Sequence, residues 1–569
     1  MSSTASLTPM LRQYLEVKAQ HPDAVVLYRM GDFYEMFFED ARLAAPILEV
    51  QLTARHRGSE HETPMCGVPH HALDSYLAKL IGAGLRVAIC DQVEDPAQAK
   101  GLVKRAVTRV VTPGTVSDPG LLEGKEENLL AALAWDGDAG AGAFLDVSTG
   151  AFFVRRWASF EEGVGDLAVL RPREALVPEG LPSMLGEWLE RECPCRTPLG
   201  DRGDRLDGRR GAELLCRQFG TATLRGFGLV DGEPAVSAAA AALAYAHETQ
   251  KSELSHIRGL TLREPGDALL LDATTLANLE VFRTQREGRR RGSLLGVLDR
   301  TVTPPGGRLL RDWLRRPLAD PAAVSARHDA VAELASDHAR RASLRERLAR
   351  VGDPERLLGR AVLGSLSPRE AAALRDGLAE LPALLGEVAE LGLVPALPLG
   401  LPAEAPAARI ALLAGLAATN PLPELAADLR RTLQEAPAPN LEEGGVIAAG
   451  IDEDLDRYRS LARDSKRHIA ALEVRERERT GINSLKIRYN RVFGYYVEVT
   501  RAQQERVPDD YIRKQTLVNA ERYVTPEIKQ LEEQILSAEE RQVALEREHF
   551  RQLTARIAAA GEGLTRVAA

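Results

Sequence analysis

Two side chains near the N-terminus have the types and spacing to read a base pair. Phe33 and Glu35 stand two residues apart in the stretch Tyr28-Arg-Met-Gly-Asp-Phe-Tyr-Glu-Met-Phe-Phe38. An aromatic ring can wedge into a base stack, and a carboxylate beside it can bond a base edge. A plainer arrangement uses the same residues. Asp32 would be a helix N-cap, Glu35 three residues on would close a capping box, and Phe33 would pack inside. Such caps are the commoner use of the pattern, and spacing alone leaves both open.

The elements that must position these residues follow from periodicity. Ala24 to Tyr28 is apolar and β-branched and reads as a strand, which Gly31 punctuates. Asp32 then opens a helix-like pattern with Phe33, Met36 and Phe37 at core-facing spacing. Leu11 to Lys18 is a helix. Pro64 to His71 is turn-rich, and Leu73 to Ile81 is amphipathic, with Leu73, Tyr76, Leu77 and Leu80 on one face. Val87 to Cys90 and Ala106 to Val111 read as strands, so residues 1–115 form one mixed α/β unit. His70 and His71 are adjacent, and adjacent strand residues point apart, which disfavours a shared metal. Loop histidines near phosphate fit better. Lys104, Arg105 and Arg109 are candidate contacts to a nucleic-acid backbone, although a solvated face is the ordinary use of such charges.

Composition narrows the class. A chain of 569 residues implies about three to five domains. Hydrophobic content is 44% and the formal net charge is −9, so the chain as a whole is no basic nucleic-acid binder. Any DNA contact must use local positive charge. No apolar run approaches ~18 residues, so no membrane span is expected. Met1 to Pro9 is polar and lacks the regions of a signal peptide. Five cysteines, an odd number, fit a reduced cytoplasm. Cys193-Pro-Cys195 does not have zinc-knuckle spacing and has no histidine near it, so no metal is expected there.

Local positive charge recurs far downstream. Asp452 to Glu478 is a long charged helix with Leu455, Tyr458, Leu461, Ile469 and Leu472 as its apolar stripe. Acids crowd its start and Arg475, Arg477 and Arg479 its end, which suits the helix dipole. The period then switches to two. Leu485, Ile487 and Tyr489 face one side, and Lys486, Arg488 and Asn490 face the other. Arg491 to Gly494 makes a turn, and Tyr495 to Thr500 returns. A basic hairpin face suits phosphate contact as readily as solvent.

Between these regions lie two others. Pro113 to Gly120 is a linker by composition. A second α/β domain follows, with strands Leu129 to Trp135, Ala143 to Val147 and Ala151 to Arg155. Asp146 on the second strand invites a ribonuclease-H reading with two metals, but no second and third carboxylate at strand ends joins it. Beyond about 255 the pattern is helical: Leu269 to Phe282, Gly307 to Leu314, Pro321 to Ala335 and Ser367 to Leu381, the last with Ser367 as N-cap. Arg286 to Gly292 is a basic turn, and Pro382 to Pro423 reads as loop and short helix. Long helix resumes from Thr525, with Ile528, Leu531, Ile535, Phe550, Leu553 and Ile557 on its buried side. The chain stops at Ala569 within helix-like sequence, which suggests a fragment.

Several of these stretches, in this order, resemble the bacterial MutS family of mismatch-recognition ATPases. The resemblance is carried by Tyr28-Arg-Met-Gly-Asp-Phe-Tyr-Glu35, Pro64-Met-Cys-Gly-Val-Pro69, Val111-Thr-Pro-Gly-Thr115 and Thr301-Val-Thr-Pro304. It continues in Leu472-Glu-Val-Arg-Glu-Arg-Glu-Arg-Thr-Gly481, Phe493-Gly-Tyr-Tyr496 and Asn519-Ala-Glu-Arg-Tyr523. It implies a multidomain α/β plus α chain. The parts would be a mismatch-binding domain over 1–115, a linker over 116–127 and a ribonuclease-H-like connector over 128–254. A helical core with levers would occupy 255–447 and 515–569, with an inserted clamp of helix and hairpin over 448–514.

It also implies roles. Phe33 matches the family's stacking Phe and Glu35 its base-bonding carboxylate, while the hairpin around Lys486, Arg488, Asn490 and Arg491 matches the part that grips backbone. The implied ligand is double-stranded DNA with mismatches or small loops. The implied partners are a second copy of the chain and MutL, in the bacterial cytoplasm at the nucleoid. ATP and Mg belong to the family through a Gly-x-x-x-x-Gly-Lys-Ser/Thr loop that this sequence lacks. Gly124-Lys125 precedes Glu126 without the motif's upstream Gly. No cofactor and no enzymatic activity are therefore expected of these residues. The alternatives are a metal-dependent nuclease using the connector, or an inactive interaction scaffold.

Overall fold

The computed structural model describes residues 8–55, 62–94, 103–137, 139–199, 208–264, 266, 268–391, 413–442, 444–490, 494–516 and 519–568. Arg491 and Phe493 lie outside the described residues. The chain divides into two compact units, one of residues Met1–Ser365, Asp376–Leu422 and Ile557–Ala569, the other of Leu366–Arg375 and Pro423–Arg556. No described helix is long and apolar enough to cross a membrane.

The first unit opens with α1 (Pro9–Gln20), capped by the Thr8 hydroxyl. A six-stranded sheet follows, built from β1 (Ala24–Met30), β2 (Phe33–Phe37), β3 (Thr53–Arg55), β4 (Thr63–Pro69), β5 (Arg86–Gln92) and β6 (Arg105–Val111). Its strand order is β3-β4-β2-β1-β5-β6. Alternation along the strands makes two apolar faces. Val26, Tyr28, Phe37, Ala88 and Val110 pack with Leu11 and Tyr14 of α1. Leu27, Tyr34, Met36, Val68 and Val87 pack on the other side with α2 (Phe38–Leu48) and α3 (Leu73–Gly82). Asp40 ties α2 to the sheet, accepting from Tyr14 Oη at 2.7 Å, Lys18 Nζ at 2.8 Å and the Val26 N–H at 3.0 Å.

Here the expected helix start at Asp32 is replaced by a hairpin. Gly31 has φ +58, the left-handed conformation that a two-residue turn with Gly first demands. β2 then pairs antiparallel with β1, Met30 opposite Phe33 and Tyr28 opposite Glu35. Phe33 is therefore not packed inside a helix; it is 48% exposed. Asp32 spends its carbonyl on the His70 N–H at 2.9 Å. Pro64 to Pro69, expected as turn, is strand β4, and only His70–Ala72 forms a 3₁₀ turn.

The expected linker is held in place. Residues Val111 to Ser117 are buried. The Gly114 N–H donates to Glu174 at 3.0 Å, and Asn128 Nδ2 donates to the Pro113 carbonyl at 2.9 Å. A buried segment must pair its polar backbone groups, so Pro and Gly here mark tight fitting instead of slack.

A second six-stranded sheet has the order β11-β10-β7-β8-β9-β12, from β7 (Leu130–Asp136), β8 (Ala139–Asp146), β9 (Ala151–Trp157), β10 (Glu174–Val177), β11 (Arg196–Pro198) and β12 (Thr261–Leu262). β7, β8 and β9 are antiparallel neighbours, while β10 runs parallel to β7 and β11 parallel to β10. The alanine-rich helix Pro234–Gln250 is buried on one face against Leu130, Ala143 and Leu145. Beyond this sheet the structure is helical, but Leu269 to Phe282 holds only the short helix Ala273–Asn278. Pro368–Leu391 runs as one helix through Pro382, where loop was expected. Its start is a capping box: the Glu370 N–H donates to Ser367 Oγ at 3.3 Å and the Ser367 N–H to Glu370 Oε2 at 2.8 Å.

The second unit is built on the helix Glu453–Thr480, with Asp452 as N-cap, and on the helix Pro526–Ala559 up to Arg556. A four-stranded antiparallel sheet, order β13-β14-β16-β15, sits on them: β13 (Lys486–Asn490), β14 (Gly494–Thr500), β15 (Ile512–Thr516) and β16 (Ala520–Val524). Val497, Val499 and Tyr523 pack against Leu472, Ile482 and Ile528. The sheet runs on to Val524, so a clamp boundary at 514 falls inside β15.

Candidate nucleic-acid interface

Phe33 and Glu35 share one face of β2, because they are two apart on a strand. Phe33 lies opposite Met30 and Pro69, and Glu35 opposite Tyr28 and Gly67. Tyr34 and Met36 turn the other way into the core. Alternation thus separates two jobs within five residues: anchoring, and presenting an aromatic ring beside a carboxylate.

Glu35 is half-buried. Its Oε2 is shielded from solvent yet accepts no hydrogen bond, and among the described residues the cation beside it is Arg55, with Nη1 3.7 Å away. Burial pushes the Glu35 carboxyl above its ordinary value, and Arg55 offsets this only in part. A carboxyl so placed is ready to take a partner that supplies an acceptor or donor. The cue that could have found Arg55 in sequence is slight: a cation closing a short strand, with no local spacing to Glu35.

Arg105 and Arg109 do not act from one surface. Strict alternation puts both on one side of β6, but the pairing slips between Ile89 and Cys90 and leaves Thr108 as an extra residue. Such a bulge re-aims the side chains beyond it. Arg105 lies over the Tyr28 ring at 5.0 Å and donates from Nε to the Arg29 carbonyl at 2.8 Å. Arg109 pairs with Asp118 at 2.9 Å, and its strand neighbour Val111 packs with the α2 and α3 face. Both guanidinium groups thus have internal partners. The Lys104 N–H donates to Glu94 at 2.6 Å. His70 turns its ring to the Asp32 carbonyl at 3.2 Å and packs edge-on to His71.

In the second unit, Lys486, Arg488 and Asn490 lie on the sheet face opposite the core, as the period-two pattern predicts. Across the ladder, however, Glu498 stands opposite Lys486 and Tyr496 opposite Arg488. Arg488 Nη1 is 3.6 Å and Arg522 Nε 3.8 Å from Glu498. The Arg522 guanidinium also covers the Tyr496 ring at 4.5 Å. The face is therefore mixed, with one acid among the cations. Sequence reading missed Glu498 and Arg522 because they come from other strands.

Asp146 is fully buried and its oxygens are engaged. They accept from the Asn128 N–H at 2.9 Å and from the Ser148 N–H and Oγ at 2.9 and 2.6 Å. Glu174, also fully buried, accepts from Gly114, Thr197 and Tyr245. These carboxylates fasten the second sheet and give the nuclease reading no support. Cys193 and Cys195 are buried, with the Cys193 thiol donating to the Cys195 carbonyl at 3.2 Å.

Two α/β sheets followed by long helices, one pair of which carries a small sheet, define a modular multidomain chain. Residues 8–119 match the family described as MutS domain I, residues 128–258 MutS domain II and residues 274–569 MutS domain III. The chain is 46% identical over 560 residues to the DNA mismatch repair protein MutS of Myxococcus xanthus, covering 98% of this chain and 61% of that protein. With the DNA mismatch repair protein MutS of Syntrophobacter fumaroxidans it shares 45% over 562 residues, 97% of this chain and 60% of the relative. With that of Symbiobacterium thermophilum it shares 44% over 562 residues, 98% of this chain and 62% of the relative. The chain belongs to the MutS family. It spans about three fifths of the length of these relatives.

Proposed function

We propose that this chain recognises mispaired or looped positions in double-stranded DNA. Phe33 would enter the stack from the minor groove and Glu35 would bond the displaced base. The observation that carries this reading is the pairing on β2 of a half-exposed Phe33 with a carboxylate whose shielded Oε2 has no hydrogen-bond partner. Inserting a wedge costs unstacking, on the order of a few kcal/mol per step. The cost is smaller where pairing is already broken, which yields preference without sequence reading.

The sheet of the second unit would grip backbone through Lys486, Arg488 and Asn490, and Arg491, which lies outside the described residues, belongs to the same proposal. Arg105 and Arg109 enter the proposal more weakly, since each must leave an internal partner to reach phosphate. The strand order β9-β8-β7-β10-β11, three antiparallel strands and then two parallel ones, supports a ribonuclease-H-like layout for the connector. The helix Glu453–Thr480 with its sheet supports the clamp. A second copy and MutL as partners, and a place at the bacterial nucleoid, belong to the same proposal. These 569 residues contain no Gly-x-x-x-x-Gly-Lys-Ser/Thr loop, so ATP and Mg chemistry is not assigned to them.

The test is Phe33→Ala. It should abolish preference for heteroduplex over matched duplex while weakening matched-duplex binding little. Equal losses on both duplexes would overturn the wedge role.

A further inference from the structure

Arg55 closes β3 where it can govern the carboxylate on which the proposed reading depends. β4 lies between β3 and β2. Arg55 is opposite Thr63 and Glu35 opposite Gly67, and Thr63 and Gly67 point to the same side of β4. Gly67 has no side chain to fill the lane between them; a Cβ there would stand 3.5 Å from Glu35 Cγ. The Arg55 guanidinium reaches across to 3.7 Å from Glu35 Oε2, close enough for attraction but not for a hydrogen bond. Its side chain is still 36% exposed, so it remains open to an incoming anion.

The other groups around Glu35 do not compete for it. Tyr28, opposite on β1, bonds Gln13 through its hydroxyl. Arg105 of β6 is spent on Tyr28 and the Arg29 carbonyl. On α1, packed against this side of the sheet, Tyr14 and Lys18 are bound to Asp40. Among the described residues, Arg55 is the charge that acts on Glu35.

We infer that Arg55 is a positioning residue that holds Glu35 as a carboxylate in the free protein and is drawn off by a DNA phosphate on binding, so that Glu35 meets the base as a neutral acid. The proton comes from solvent. This rests on the reading of Phe33 and Glu35 above. Two changes then act in one direction: the countercharge leaves, and phosphate anions arrive, and each favours the protonated carboxyl. Burial already pushes that carboxyl upward. The pair would thus keep Glu35 ionised, and unable to donate, until a duplex is present.

The test measures binding of a heteroduplex and its matched homoduplex across neutral and mildly alkaline pH at fixed salt, on the whole chain. The variants are Phe33→Ala, Arg55→Met, Arg55→Lys, Glu35→Gln and the double change Arg55→Met with Glu35→Gln. In the wild type, preference for heteroduplex should fall as pH rises through the bound-state value of Glu35. Arg55→Met should leave the pH of that fall in place, because Arg55 has already left Glu35 in the complex. It should instead cut the proton uptake that accompanies heteroduplex binding, read by calorimetry in buffers of different ionisation enthalpy, because Glu35 then holds a proton more readily in the free chain. Arg55→Lys should restore the wild-type proton uptake. With Glu35→Gln present, Arg55→Met should leave preference flat in pH and weaken both duplexes alike. Proton uptake unchanged in Arg55→Met, or a change in uptake that survives Glu35→Gln, overturns the inference. If Phe33→Ala keeps wild-type preference, the recognition reading falls and takes the inference with it. If Phe33→Ala loses preference while Arg55→Met leaves proton uptake unchanged, only the inference falls.

Discussion

Gly494 lies so close to the carboxylate of Glu532 that a Cβ on it would overlap the acid. Glycine there leaves room for that carboxylate, the far end of a flexible side chain on the helix Pro526–Ala559. Gly494 also has φ +72, a conformation that costs most other residues strain.

Gly494→Ala should therefore destabilise the second unit by about 1–2 kcal/mol, the cost of the left-handed conformation to a residue with a Cβ, while the Glu532 carboxylate swings aside. Urea unfolding followed by a signal from this unit would measure it. A variant as stable as wild type would contradict this backbone cost.

Changing Lys486 and Arg488 to Ala should lower affinity for matched and mismatched duplex alike. The slope of log affinity against log salt should flatten by about one for each phosphate no longer neutralised. Arg488 already shares Glu498, so its contribution should be the smaller of the two. An unchanged slope would place this sheet away from DNA.

Glu35→Gln should retain mismatch preference and lose its dependence on pH, because the amide stays neutral. Glu35→Ala should lose preference. The sign follows from a raised carboxyl: the donor form is present at low pH and disappears as pH rises through the raised value. A Gln variant as defective as Ala would remove the donor role.

Glu546 anchors the second unit from within. It is fully buried and accepts from the Val446 N–H at 2.7 Å, the Gly445 N–H at 3.1 Å and Arg459 at 2.7 Å. Burial raises its carboxyl, but these bonds lower it by more, so its folded value is depressed. The stability it adds is present above the unfolded value and is lost as pH falls through the folded one. Glu546→Ala should cost about 1–3 kcal/mol, since it leaves the Val446 and Gly445 N–H groups without their acceptor, while Arg459 keeps Asp456 at 3.2 Å. It should also flatten the acid limb of the unfolding curve. An acid limb identical to wild type would contradict this.

Much of the fold was readable in the order of residues, for identifiable reasons. Ala24 to Tyr28, Ala106 to Val111 and Ser484 to Asn490 declare strands through β-branched or alternating patterns, and Asp452 and Ser367 cap helices where local chemistry says they should. Phe33 to Phe37 misled because five residues satisfy both periods. Phe33, Met36 and Phe37 fit a helix, while Tyr34 and Met36 fit one face of a strand. Pairing with β4, about thirty residues on, decides between them, and no local signal carries that contact. The same holds for Thr108, whose bulge sends Arg105 and Arg109 to different faces. It holds also for Glu498, which enters the basic face from the neighbouring strand. Phe33 and Glu35 stand out by type and spacing, but they share a face because of strand pairing after the hairpin at Gly31, not because of a helix start.

Competition between a mismatched and a matched duplex for this chain, with its mass in solution measured alongside, is the decisive measurement for mismatch recognition. Tighter binding of the mismatched duplex is expected, with the preference lost in Phe33→Ala. Equal affinity for the two duplexes in the wild-type chain would contradict the recognition role.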